Sequence, residues 1–231
     1  MKINADFTQR VALHTAKMEW QASPMPGVER RMLDRIGDEI ARATSMVRYA
    51  PGSHFAEHTH SGGEEFIVLK GVFQDEHGDY PAGSYVRNPI GTHHVPRSKE
   101  GCEIFVKLWQ FASRDQVQKV MDLNALEFAP FADTDGVARA GVFEFGDELV
   151  VVEEWQAHCQ REIGDPGGAE LLILGGSLIW QGEEYGAHDW LRLPAGDFSA
   201  MQAGSEGVRI WMKLGHLRSV TAPSGKSSSR A

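Results

Sequence analysis

The chain has 231 residues, 42% of them hydrophobic, and its 23 basic and 32 acidic side chains leave a net charge of −9. That length supports either one large domain or two ordinary ones with independent cores. The acidic balance argues against nucleic acid or an anionic membrane as the main partner, since both need a basic face, and no uncharged apolar run is long enough to span a bilayer.

The first ten residues carry no apolar signal region, so a cytoplasmic protein is expected. Cys102 and Cys159 are too few for a disulfide framework and sit in no C-x-x-C pair. Residues 28–41 form the first of two helix-like windows, although Arg-Arg and Asp-Glu clusters interrupt its apolar stripe, and a strand is predicted over 43–49.

The next stretch, Gly52-Ser-His54-Phe-Ala-Glu57-His58-Thr-His60-Ser-Gly-Gly-Glu64-Glu-Phe-Ile-Val-Leu-Lys-Gly71, concentrates metal-competent side chains. Alternation along a strand sends His58 and His60 to one side and Thr59 to the other. The Ser61-Gly62-Gly63 turn can swing Glu64 back toward the same point before the apolar run 66–69 resumes as a strand. Imidazole and carboxylate together suit zinc, iron, manganese, nickel or copper. His54, Glu57 and Glu65 are candidates for groups that orient the liganding rings. Downstream, Gly83-Ser-Tyr-Val-Arg-Asn-Pro89-Ile-Gly91-Thr-His93-His94 supplies a further histidine at His94, and alternation aims His93 away from it. A strand over 104–109 and a second helix-like window over 113–123 complete this half, placing a boundary near 112–124.

The chain then repeats itself. Residues 62–73 lie over 167–178, and 85–91 over 190–196, at one constant offset; a single inserted residue brings 101–108 onto 207–214. At the positions equivalent to His58, His60, Glu64 and His94 the second copy has Ile163, Asp165, Ala169 and Ser199, of which three cannot be strong ligands. Leu171, Ile173, Trp190 and Trp211 are expected to fill that copy or to form an interface, and the polar segment 219–231 is expected to be disordered.

The two motif stretches resemble the paired motifs of the cupin superfamily at Gly52, His58, His60, Glu64, Gly71, Gly83, Pro89, Gly91 and His94, with Ser98 where an asparagine usually closes the second motif. Among cupins they look like the ChrR type, the zinc-binding cupin-like domain of an anti-sigma factor. The resemblance implies an all-β protein of two tandem jelly-roll barrels, a metal-binding domain at 1–115 and a degenerate one at 116–218. It implies His58, His60, Glu64 and His94 as ligands of one divalent ion per chain, zinc foremost, with iron, manganese or nickel as alternatives. It also implies a small-molecule ligand in a sensing or regulatory role, a sigma factor as a possible partner, and a homo-oligomer. ChrR proteins hold their sigma factor with a separate helical zinc domain bearing His-x-x-x-Cys-x-x-Cys, and this sequence has no such motif. Related small cupins include iron-dependent dioxygenases acting on ketones and diketones, which is the alternative function.

Overall fold

The computed structural model describes residues 1–38, 40–132 and 134–223. Among these the protein is all-β, with two short 3-10 turns at Thr15–Lys17 and Leu123–Ala125 and no α-helix. The expected disordered tail lies outside the described residues from position 224 onward.

Two compact units are present: residues 1–5 and 20–122 with 221–223, and residues 6–19 with 123–220. In the first unit the strands run in the order Lys2–Ile3, Val28–Gly37, Ala41–Tyr49, Cys102–Leu108, Glu64–Gln74, Ser84–Asn88, Lys119–Asp122, all the neighbouring pairs antiparallel. A separate two-stranded ribbon pairs His58–Thr59 with His93–His94. In the second unit the order is Ala129–Pro130, Val137–Phe145, Glu148–Trp155, Phe198–Leu214, Ala169–Trp180, Trp190–Leu193, Val11–Leu13.

Both helix-like windows are strands or irregular chain. Residues 28–41 form Val28–Gly37 and the turn into Ala41–Tyr49, and the pairing slips by one residue between Met32 and Asp34. That bulge breaks the period of two and hides the strand from a pattern search. Within 113–123, Lys119–Asp122 pairs with Ser84–Asn88, so tertiary pairing overrides a weak local helix preference. Upstream of it, the Asp115 carboxylate accepts from the buried Arg87 guanidinium and from the Val117 amide.

The internal repeat is visible in the register. Ile67 lies between Tyr85 and Phe105, as Leu172 lies between Trp190 and Trp211. Both copies bulge at the same place, beside Leu69 and Leu174. Gly71 and Gly176 share a left-handed φ of 71° and 70°, and a Cβ there would lie 2.1 Å from Gly101 O and 2.2 Å from Gly207 O, so only glycine fits. The central strands of each sheet are buried on both faces. In the first unit Phe66, Val68, Val86, Ile104 and Val106 form the inner cluster, while Tyr85, Ile67, Phe105 and Met46 make a buried row on the other face. This accounts for the continuous apolar runs in the sequence. In the second unit Leu171 and Ile173 belong to the inner cluster, and Trp190 and Trp211 are buried on the opposite face in a row with Leu172 and Val152.

Candidate metal centre

The His58–Thr59 and His93–His94 ribbon sets His58 directly opposite His94. The Pro89–Gly91 turn is tied to the next ligand, since the His60 amide donates to Thr92 O (2.8 Å) and the Gly91 amide to His60 O (3.0 Å). Gly63 completes the turn that returns Glu64. It has φ of 77°, and a Cβ there would lie 2.4 Å from the Phe111 ring. Glu64 then opens the long strand Glu64–Gln74.

The result is a cluster in which ligand atoms of His58, His60, Glu64 and His94 all lie within 4.8 Å of one another. His60 Nε2 is 3.3 Å from His94 Nε2 and 3.3 Å from Glu64 Oε2, and His94 Nε2 is 3.6 Å from Glu64 Oε2. Donors about 2.1 Å from one ion stand roughly 3.0 to 3.4 Å apart in octahedral or tetrahedral arrangements, so this set fits a single divalent metal. His60, Glu64 and His94 are buried and His58 is exposed at the rim.

Hydrogen bonds fix the two buried rings with their donor atoms inward. The Thr92 hydroxyl donates to Pro89 O (2.7 Å), so at its 3.0 Å contact with His60 Nδ1 it must accept, which places the proton on Nδ1 and leaves the Nε2 lone pair facing the cluster. His94 Nδ1 lies 3.3 Å from Asp75 Oδ2 and donates to it, again freeing Nε2. Asp75 is held in turn by the His77 and Gly78 amides and the Tyr80 hydroxyl. The Asn88 amide donates to Glu64 Oε2 at 3.3 Å. Burial lowers the His60 pKa below the usual imidazole value, favouring the neutral, metal-ready ring. At His94 burial pulls the same way, but the hydrogen bond to Asp75 and the charges of Glu64, Asp75 and Glu76 outweigh it and raise the pKa.

The four sequence-predicted ligands therefore come together, and the predicted ring-orienting groups do not. His54 is exposed opposite Arg97. Glu57 is an exposed neighbour of His93. Glu65 points to the far face, where it accepts from Tyr85 and Arg87. Alternation explains Glu65, since it follows Glu64 directly on a strand. The orienting groups are Thr92, Asp75 and Asn88. Asp75 was legible only as a turn residue, because its carboxylate caps the amides of His77 and Gly78. His93 is exposed, as alternation requires.

In the second unit Ile163 stands opposite Ser199, as His58 stands opposite His94. Trp180, at the repeat position of Asp75, donates from Nε1 to Ser199 Oγ at 2.8 Å. An indole fills the place of the carboxylate that would orient a ligand there.

The fold and this site define the chain as carrying a cupin-type metal-competent domain. Residues 8–112 match the ChrR cupin-like domain family. Among solved structures, the chain is similar to a putative dioxygenase from Nostoc punctiforme, with 16% identity, a TM-score of 0.74, and coverage of 93% of this chain and 85% of that one. It is also similar to protein YlbA from E. coli, with 12% identity, a TM-score of 0.66, and coverage of 90% and 91%. A cupin 2 conserved barrel domain protein from Leptotrichia buccalis aligns with 11% identity, a TM-score of 0.60, and coverage of 88% and 95%. At these identities the likeness is one of fold. No curated protein matches the sequence significantly. No helix among the described residues is long and apolar enough to cross a membrane.

Proposed function

We propose that this protein is a tandem cupin whose first copy, residues 1–115, binds one divalent ion on His58, His60, Glu64 and His94 and uses it to take up a small ligand in a sensing or regulatory role. The second copy, 116–218, is a metal-free structural partner. The observation that carries this reading is the convergence of four donors, two of them buried imidazoles held with Nε2 inward, set against Ile163, Ala169, Ser199 and Trp180 in the second copy. Zinc is the first candidate and iron, manganese and nickel follow, since all accept imidazole and carboxylate. The ion would supply Lewis acidity toward an oxygen ligand. The chain's own residues hold the ion, pack the Phe73 ring against His94, and orient His94 through Asp75.

Elemental analysis of protein from its native host tests the reading. One ion per chain, lost in His60→Ala, is expected; two per chain, or retention in that variant, would overturn it. Because the His-x-x-x-Cys-x-x-Cys motif is missing from the sequence, this chain is not expected to hold a sigma factor alone. Nanomolar capture of the genomically adjacent sigma factor, equivalent to roughly −12 kcal/mol, would reverse that.

A second reading, a metal-dependent dioxygenase for a small ketone or diketone, draws support from the name of the Nostoc punctiforme structure and from the Phe73 ring beside His94. Oxygen uptake by iron-loaded protein with a β-diketone, abolished in His94→Ala, would put it first.

A further inference from the structure

The turn between His60 and Glu64 is held from behind by the segment that joins the two copies. The Trp109 amide donates to Gly63 O at 3.1 Å and the Phe111 amide to Gly62 O at 3.4 Å. Their rings lie against the same glycines: a Cβ on Gly62 would stand 2.2 Å from the Trp109 indole, as one on Gly63 would stand 2.4 Å from the Phe111 ring. The buried Arg87 guanidinium lies 4.3 Å from the centre of the Phe111 ring and pairs with Asp115 further along the segment. Gln110, between the two rings, donates from Nε2 to Ala43 O at 2.9 Å. Residues 109–115 therefore form a strap, fastened to the ligand turn at one end and to Arg87 at the other.

The second copy makes the same backbone connection without the rings. At the repeat offset Gly215 matches Trp109 and Leu217 matches Phe111, and their amides donate to Gly168 O (2.9 Å) and Gly167 O (2.7 Å). Gly215 has φ of 81°, whereas Trp109 takes the left-handed region at φ of 60°. A bulky side chain persists there only where its surroundings hold it. Arg192, the match of Arg87, receives its aromatic ring from Phe7, near the start of the chain, at 3.9 Å. The copy without ligands thus separates the two fastenings and places glycine where the metal-competent copy keeps a strained tryptophan.

Residues 61–63 set the distance between His60 and Glu64, so the convergence of these two donors depends on what the turn rests upon. A strap that favours the ligating shape of the turn is favoured in return, by the same factor, by an ion bound to that shape, because coupling between two binding events is reciprocal. The strap runs on through Lys119–Asp122 to Leu123, where the second unit resumes. The stretch of chain that an ion would firm up is the connection between the copies.

We infer that residues 109–115 are a strap that registers occupancy of the metal centre: Trp109 and Phe111 position His60 and Glu64, and ion uptake tightens the connection between the copies. This rests on the metal reading proposed above and deepens its sensing role. Amide hydrogen exchange of full-length protein with and without zinc tests it, because the Trp109 and Phe111 amides are themselves the docking bonds. Zinc is expected to slow exchange at these two amides roughly fivefold or more and to leave the matching amides of Gly215 and Leu217 unchanged. Trp109→Gly installs the second copy's residue and suits the backbone, and it is expected to weaken zinc binding about tenfold in competition with a chelating dye. Unchanged exchange at 109 and 111 in zinc-loaded protein, equal slowing at 215 and 217, or full zinc affinity in Trp109→Gly would overturn the inference. Where Trp109→Gly does not fold, the exchange of the wild-type protein decides alone. Protein that takes up no zinc overturns the metal reading and the strap together, whereas zinc uptake with an unresponsive strap overturns the strap alone.

Discussion

Asp75 shows how a residue just outside the motif sets up the site. Its carboxylate fixes the His94 tautomer while its other oxygen is held by two amides and Tyr80. Asp75→Asn keeps the turn and removes the charge, so it is expected to lower metal affinity about 10- to 100-fold with little loss of stability, as removing such partners does elsewhere. Competition with a chelating dye measures the first and thermal melting the second. Because protons compete for the same imidazole nitrogens, binding should also weaken as pH falls through roughly 6 to 7, and pH-independent affinity would mean that other groups hold the ion.

At the scale of elements, the N-terminal strand Val11–Leu13 pairs with Trp190–Leu193 in the second unit, and His14 pins it there. His14 Nε2 lies 2.8 Å from Glu183 and Nδ1 lies 3.0 Å from Asp189, and the ring stacks on Tyr185 at 4.7 Å. The Glu183 and Asp189 hydrogen bonds raise the His14 pKa, against burial and the opposing Lys17. A raised folded-state pKa means the contribution is complete below the unfolded value, about 6.5, and disappears as pH rises through the folded one. Amide exchange across 11–13 is therefore expected to quicken as pH rises through that window beyond its intrinsic pH dependence, and His14→Gln should remove the excess. In the same unit Trp180 is buried in the inner cluster, and Trp180→Ala should cost about 3 to 5 kcal/mol in denaturant unfolding.

For the whole molecule, the compact units do not follow the sequence halves strand for strand. Residues 6–19 belong with the second unit, and Lys119–Asp122 closes the edge beside Ser84–Asn88 in the first. A fragment of residues 1–115 would lack that edge strand and leave Ser84–Asn88, paired only with Glu64–Gln74, as an exposed edge. It is expected to be poorly soluble or oligomeric on size-exclusion chromatography, and a stable, metal-loaded monomer would show that the second copy is dispensable for folding.

The sequence by itself determined the β class, the internal repeat and the metal-competent set of His58, His60, Glu64 and His94 that the fold brings together. Each depends on local spacing: alternation along a strand, glycine where Gly63 and Gly71 need a left-handed backbone, and a constant offset between copies. Tertiary structure decided what depends on neighbours distant in the chain. The bulge between Met32 and Asp34 hid one strand, and only pairing with Ser84–Asn88 made 119–122 another. Thr92 and Asp75 became the ring-orienting groups, in place of Glu57 and Glu65, because the folded hairpins bring their oxygens to His60 and His94.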